Sequence, residues 1–304
     1  MSPRFLLPDG EVADEVRALL PDQPWITFAE AEQGADVSSV EFFVPPYLKW
    51  GEALELLGRL PALRVVQLLT AGVDWIAPSI PSGVRLHRAV GVHGAAVTEL
   101  VVAMILGVAK GIPSSVRHQA RAEWAHVRVG SVFGSHAVIL GHGAIGREVG
   151  TALGSLGVRV TGVSRSGQPP SVPMSALADL LPTCDILVIV LPLTDETNGL
   201  VDGAMLSLLP DGALVVNVAR GPVVEHAALE RELVAGRLRA ALDVTDPEPL
   251  PVESPLWRLP NVLITPHVGG DSELFPRLAG RLVADQMTRY LEGRELDYEV
   301  VGNY

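Results

Sequence analysis

The chain has 304 residues, 48% of them hydrophobic and 19% charged, and carries a net charge of −12. That length allows about two domains with substantial cores, and the acidic balance argues against a general affinity for nucleic acid or an anionic membrane. One cysteine, Cys184, excludes an internal disulfide and any cysteine-built zinc cage.

The opening MSPRFLLPDG has neither a long apolar core nor a small-residue cleavage site, so no signal peptide is expected. The longest apolar run, residues 100–109, is too short to span a bilayer, and a cytoplasmic protein is the expectation. Up to residue 90 the chain alternates strands (5–7, 40–44, 65–69) with helices (13–20, 48–60), which predicts a small α/β layer with a parallel sheet. The strand at 64–69 runs into Thr70-Ala71-Gly72-Val73-Asp74. Ligands of parallel sheets gather at the carboxyl ends of strands, so the N–H groups of Ala71, Gly72 and Val73 suit a small anion; a plain turn explains them equally well.

From Gly94 the apolar positions Ala95, Ala96, Val97, Leu100, Val101, Met104, Ile105 and Val108 predict a buried helix connecting two domains. A more polar helix is expected over 114–126, with Trp124 near its end. Core packing is the first reading of Trp124, and a cap on a substrate pocket the second.

Residues 136–165 hold the stretch around which the rest is organised. A buried strand (137–140) turns through Gly141-His142-Gly143-Ala144-Ile145-Gly146. A helical pattern (Ile145, Val149, Leu153, Leu156) and a second strand (158–163) follow. Strand, glycine turn, helix and parallel strand within about thirty residues form the unit that binds a dinucleotide pyrophosphate. Gly141 permits the tight turn, Gly143 lets backbone approach the phosphates, and Gly146 lets helix and strand pack closely; the helix N-terminus then faces the anion. Where an NAD-binding unit offers a carboxylate to the ribose, this chain has Ser164, Arg165 and Ser166. A guanidinium there suits a 2′-phosphate, so NADP is the preferred cofactor and NAD the alternative, unless Arg165 is simply a solvated loop charge.

Further strands are expected at 184–190, 213–218, 240–242 and 262–264, each ending in polar residues at its carboxyl end, with a helix at 225–235 between them. Cys184, at the start of an apolar strand, reads as buried and inert. A helix over 274–291 and a short strand at 298–301 read as a return to the first domain, so the dinucleotide-binding domain is 94–274 and a discontinuous substrate domain comprises 1–93 and 275–304. His118, His126 and His226 read as surface residues, and no metal-binding pattern is present. Residues 162–166 approach a nucleophile elbow but lack its second glycine, which disfavours hydrolase chemistry.

Three strand ends supply Arg220, Glu248 and His267. Interconverting a 2-hydroxy acid and a 2-oxo acid needs a proton carrier for the oxygen and a cation for the carboxylate and carbonyl. Arg220 can grip two oxygens, His267 can carry the proton, and a hydrogen-bonded Glu248 would favour the charged imidazole and fix its tautomer. Over nearly all its length the chain resembles the D-isomer-specific 2-hydroxyacid dehydrogenase family. The resemblance is carried by Ala71-Gly72-Val73-Asp74, Gly141–Gly146, Leu191-Pro192-Leu193-Thr194 with Thr197, Asn217-Val218-Ala219-Arg220-Gly221, Ala241-Leu242-Asp243-Val244 leading to Glu248-Pro249, and Thr265-Pro266-His267-Val268-Gly269-Gly270.

The resemblance implies a Rossmann-like, doubly wound parallel sheet for the dinucleotide and a smaller flavodoxin-like α/β substrate domain. It makes Arg220, Glu248 and His267 catalytic, and directs Asp243 to the nicotinamide carboxamide. It also lines the cofactor with Ala144, Ile145, Pro192, Thr197, Val218 and Gly269, and the substrate with Ala71, Gly72, Val73, Arg220 and His267. Ser164 departs from the family's usual Asp. The activity implied is hydride transfer between NAD(P)H and a small 2-oxo or 2-hydroxy acid, of the glyoxylate or hydroxypyruvate reductase kind, in a homodimer with the helix from Gly94 as an interface element. A dinucleotide-sensing transcriptional corepressor of the same fold is the alternative, and a methyltransferase would leave Arg220 and His267 without a role.

Overall fold

The structure, a computed structural model, describes residues 4–47 and 49–301. Residues 1–3 of the opening segment and Leu48, first residue of the helix expected at 48–60, lie outside them. The chain forms two compact units, Met1–His93 with Asp271–Tyr304, and Gly94–Gly270.

The first unit contains β1 (Phe5–Leu7), α1 (Glu11–Leu19), β2 (Ile26–Thr27), α2 (Phe28–Glu32), β3 (Phe42–Phe43), α3 (Trp50–Leu57), β4 (Val65–Gln67) and β5 (Arg85–His87), with the last helix, α10 (Phe275–Leu291). The strands pair in parallel in the order β2-β1-β3-β4-β5, the flavodoxin order. Alternate residues bury opposite faces: Leu6, Phe43 and Val66 join Phe28 and Ile76, while Phe5, Phe42 and Val65 join Ala279, Val283 and Met287 of α10. Gly280 lets α10 approach α1, because a Cβ there would run into Glu15.

Three short elements of this unit, β2, α2 and β5, were not expected from sequence. Thr27 ends β2 and starts α2 with a capping box, its hydroxyl taking the Glu30 N–H while the Glu30 carboxylate takes the Thr27 N–H at 2.8 Å. Strand β5 lies beyond the expected strands of this unit. The strand expected at 298–301 is reduced to one antiparallel bridge between Glu299 and His87.

The second unit begins with α4 (Gly94–Ala109) and α5 (Ile112–Ala120). It continues through β6 (His136–Leu140), α6 (Ala144–Ser155), β7 (Arg159–Ser164), β8 (Val172–Pro173), α7 (Leu177–Leu180), β9 (Ile186–Ile189), α8 (Gly203–Leu208) and β10 (Leu214–Asn217). It closes with α9 (His226–Val234), β11 (Arg239–Leu242) and β12 (Val262–Ile264). All seven strands are parallel, in the order β12-β11-β10-β9-β6-β7-β8, so the direction of winding reverses between β6 and β9. Such a reversal opens the crevice where open α/β sheets bind ligands. Helix α4 lays Val97, Val101, Met104 and Ile105 on Ala137, Ile139, Val188 and Val216 of the sheet.

Helix α5 ends at Ala120, short of the expected 126, and Trp124 beyond it is 99% exposed rather than packed in a core. No residue of α5 is buried, so no packed face extends it. The second unit ends at Gly270, and residues 271–274, assigned to it from sequence, lead into α10 in the first unit.

Candidate active site

The glycine turn takes the shape its residues require. Strand β6 is buried throughout and ends at Gly141, whose φ of 108° puts it in the left-handed region; a Cβ there would lie 2.6 Å from the Val190 carbonyl oxygen. A Cβ on Gly146 would run into the Gly141 carbonyl. Gly143 precedes α6, and space around its Cβ position is open. The first helical bond of α6 runs from Arg147 N–H to Gly143 O at 3.1 Å, so the amides of Ala144, Ile145 and Gly146 have no acceptor within the helix. Sequence reasoning missed His142, whose ring covers Gly162 and whose Nδ1 lies 2.9 Å from Ser171 Oγ. Burial, aided by the Arg147 charge, pushes this imidazole below its ordinary range and favours the neutral ring beside the turn.

At the carboxyl end of β7, Ser164 Oγ accepts the Gly167 N–H at 3.2 Å, which shapes the loop carrying Arg165. The Arg165 guanidinium pairs with Glu196 at 2.8 Å. Glu196 stands in the loop after β9, a turn pinned from within by Thr197. The Thr197 hydroxyl donates to Pro192 O at 2.6 Å and accepts the Thr194 N–H at 2.8 Å.

The catalytic candidates follow three adjacent strands. Arg220 follows β10, Asp243 and Glu248 follow β11, and His267 follows β12; neighbouring strands lie about 4.8 Å apart. Asn217, 2% exposed, sets the loop bearing Arg220: its Oδ1 accepts the Ala219 N–H at 3.0 Å and its Nδ2 donates to Arg220 O at 3.0 Å. Val218 N–H in that loop bonds Ile189 O at 3.3 Å, and a Cβ on Gly221 would run into the Thr245 carbonyl, so this loop lies directly on the one after β11.

Asp243, 3% exposed, organises the next loop. Its carboxylate accepts the Thr265 hydroxyl at 2.5 Å, the Val268 N–H at 3.0 Å and the Gly269 N–H at 2.9 Å. Its own N–H bonds Asn217 O at 2.9 Å, and its carbonyl accepts the His267 N–H at 2.8 Å. Within this frame His267 adopts φ 54°, a left-handed conformation that costs a non-glycine residue about 1–3 kcal/mol and persists where surrounding bonds enforce it. His267 Nδ1 lies 2.6 Å from Glu248 Oε1, with the two side chains 32% and 40% exposed. The carboxylate thereby holds Nδ1 and orients the ring.

The Ala71-Gly72-Val73 turn belongs to the first unit. Thr70 Oγ1 donates to Gly72 O at 2.7 Å, Val73 is buried, and Ala71 and Gly72 are half-buried. That unit also has a cleft of about 560 Å³ beyond the carboxyl ends of β1, β3 and β4, lined among others by Asp9, Tyr47, Lys49, Leu69 and Phe275. Among the described residues no group of His, Cys, Asp or Glu is placed to hold a metal ion.

A glycine turn at the switch point of a parallel sheet, with an imidazole, a carboxylate and a guanidinium on neighbouring strand ends, defines a dinucleotide-dependent oxidoreductase. The family model described as D-isomer specific 2-hydroxyacid dehydrogenase, NAD binding domain, matches residues 102–269. The chain belongs to the D-isomer-specific 2-hydroxyacid dehydrogenase family. It is similar to a member from Xanthobacter autotrophicus Py2 in complex with NADPH and MES, at 30% identity and TM-score 0.84 over 99% of this chain and 98% of that one. It is also similar to an NADPH-dependent glyoxylate/hydroxypyruvate reductase from Sinorhizobium meliloti in complex with NADP and sulfate, at 29% identity and TM-score 0.84 over 97% and 98%. A glyoxylate reductase of Aeropyrum pernix is 31% identical over 79% of this chain and 77% of its own length. The chain spans about half (49%) of a D-3-phosphoglycerate dehydrogenase of Methanocaldococcus jannaschii, to which it is 29% identical over 81% of its own length.

Proposed function

We propose that the protein is a reductase of small 2-oxo acids, glyoxylate and hydroxypyruvate among them, that prefers NADPH and accepts NADH. The observation that carries this reading is the 2.6 Å His267–Glu248 pair, held in a loop organised by Asp243 beside the Arg220 loop. Open space at Gly143 and the first amides of α6 fit a pyrophosphate, and Arg165 at the end of β7 fits a ribose 2′-phosphate.

When bound, the dinucleotide supplies the hydride. Ala144 and Ile145 would hold its phosphates through backbone N–H groups. By family resemblance Pro192, Thr197, Val218 and Gly269 line its path, and the fourth acceptor site of the Asp243 carboxylate remains for a carboxamide N–H. Arg220 would grip the substrate carboxylate and carbonyl oxygen, drawing charge toward oxygen as reduction proceeds. Protonated His267 would donate from Nε2 to that oxygen, while Glu248 would keep the ring oriented. The amides of Ala71, Gly72 and Val73 suit a small anion.

The experiment is steady-state oxidation of NADPH and NADH by purified protein across a panel of 2-oxo acids, with His267→Asn alongside. Turnover of a short 2-oxo acid, faster with NADPH and lost in His267→Asn, is expected. Absence of turnover with every acid and both cofactors would overturn the reading. The similar proteins described above are dehydrogenases and reductases, which favours turnover over the corepressor alternative.

We also assign a homodimer and a cytoplasmic location. The exposed apolar surface that supports a dimer lies on α5 and the segment after it: Ile112, Val116, Trp124, Val127 and Phe133 are 52%, 55%, 99%, 60% and 80% exposed. Helix α4, the expected interface element, spends its buried residues on its own sheet. Light scattering of Trp124→Glu with Phe133→Glu tests this: a shift from dimer to monomer supports the assignment, and an unchanged dimer refutes that surface. No single helix among the described residues is long and apolar enough to cross a membrane.

A further inference from the structure

We propose that Glu196 narrows the preference for NADPH by competing with the ribose 2′-phosphate for the Arg165 guanidinium. The inference rests on the reading of Arg165 as the 2′-phosphate ligand.

The sheet explains why these two residues meet. Strand β6 lies between β7 and β9. Arg165 stands just past the end of β7 and Glu196 in the loop after β9, so the two loops leave the same end of the sheet on either side of β6. The 2.8 Å contact between the two side chains joins these loops.

Both supports are fixed by the backbone. On one side Ser164 pairs with Pro173 in the β7–β8 ladder, and its hydroxyl takes the Gly167 N–H. Gly167 itself has φ 59°, and a Cβ there would lie 2.7 Å from Pro173 N, so this loop has little room to rearrange. On the other side Thr197, 7% exposed, pins the turn, and Asn198 N–H bonds Thr194 O at 2.9 Å. The carboxylate is thus carried to the guanidinium by two shaped loops. Its side chain remains 71% exposed, so changing it does not threaten the core.

Carboxylate and phosphate use the same donors of a guanidinium. NADPH offers Arg165 a dianionic replacement for Glu196, but it must displace that carboxylate and then sit beside it. NADH offers no replacement and leaves the pair as it is. Glu196 therefore weakens NADPH binding while leaving NADH binding nearly unchanged, and it narrows a preference that Arg165 creates. An exposed ion pair is worth up to about 1 kcal/mol, which converts to roughly a fivefold change in affinity.

Calorimetric titration of wild type, Glu196→Gln, Arg165→Ala and the double variant tests the proposal, with NADPH, NADH and adenosine 2′,5′-bisphosphate as probes. In Glu196→Gln, NADPH and the bisphosphate should bind about fivefold more tightly and NADH within about twofold of wild type. The gain should vanish in the Arg165→Ala background and shrink as salt rises. If Arg165→Ala weakens NADPH but Glu196→Gln leaves it unchanged, or tightens both dinucleotides equally, the competition is refuted and the cofactor reading stands. If Arg165→Ala leaves the NADPH to NADH ratio unchanged, Arg165 is not the phosphate ligand, and both fall. If none of the probes binds, the dinucleotide function falls with them.

Discussion

Replacing Asp243 by Asn separates two roles for that carboxylate: organiser of the His267 loop and contact for the cofactor. Oδ1 accepts two hydrogen bonds, from Thr265 and Val268, and Oδ2 accepts one, from Gly269. An asparagine amide in its better orientation keeps the pair at Oδ1 but points its NH₂ at the Gly269 N–H, donor against donor at a separation that is now 2.9 Å. The opposite orientation loses two acceptors. With the residue 3% exposed, water cannot repair the loss, and a buried bond to a charged acceptor is worth about 1.5–3 kcal/mol. We expect a destabilisation of about 2–3 kcal/mol, seen as a Tm lower by roughly 4–12 °C for a domain of this size. Because the same loop forces His267 into φ 54°, relaxing it should displace the imidazole, and a displacement of about 1 Å costs on the order of 100-fold in rate. Thermal melts and steady-state kinetics on the same preparation give the answer. A variant that melts like wild type, keeps its kcat and raises only the KM for the dinucleotide would refute the organising role.

Glu248→Gln keeps the shape of the 2.6 Å contact to His267 but removes its charge; discounted for partial exposure, this should lower the reduction kcat about tenfold without moving Tm. A kcat equal to wild type would show that the carboxylate does not assist the imidazole. Burial pushes His87 below its ordinary value of 6.5, with Arg85 acting the same way and the Asp297 carbonyl and Glu299 acting against it. The unfolded chain therefore takes up this proton more readily than the folded one. The His87 contribution is whole above about pH 6.5 and is lost as pH falls below it. Tm should decline on acidification through that window, less steeply in His87→Asn; equal slopes would disprove the assignment. Cys184 is fully buried, and its thiol is pushed up to about 12 by burial, so a thiol reagent should label it only after unfolding, and labelling of the native protein would contradict the packing.

Which parts of the fold were readable from sequence follows from burial. A parallel strand covered on both faces appears as an unbroken apolar run, as in Ala137-Val138-Ile139-Leu140 and Ile186-Leu187-Val188-Ile189, and these were found. Strand β2 has two residues, and β5 begins with the exposed Arg85 and ends at His87; neither displays a period, and each exists because β1 or β4 offers it a ladder. The overlong reading of α5 has the opposite cause. Its residues permit a helix beyond Ala120, but a segment with no buried face has nothing to hold it in one.

At the site, sequence nominated candidates for the chemistry and concealed the residues that hold them. Arg220, Glu248 and His267 could be named because each follows a recognisable strand, and the parallel order β10-β11-β12 makes those strand ends neighbours. Their usefulness depends on contacts between distant positions: Asn217 bonding both Ala219 and Arg220, Gly221 lying against the Thr245 carbonyl, and Asp243 gathering Thr265, Val268 and Gly269. None of these has a local sequence signature, since a buried Asn or Asp at a strand end is equally a turn residue. The same holds for Glu196, an ordinary loop charge until the β9-β6-β7 order brings it to Arg165. Chemistry therefore sits in residues that local pattern can nominate. The proposed positioning and selectivity roles fall to pairs that only the assembled sheet creates, so substitutions at Asn217, Asp243 and Glu196 test how this site is held more directly than loss of the imidazole does.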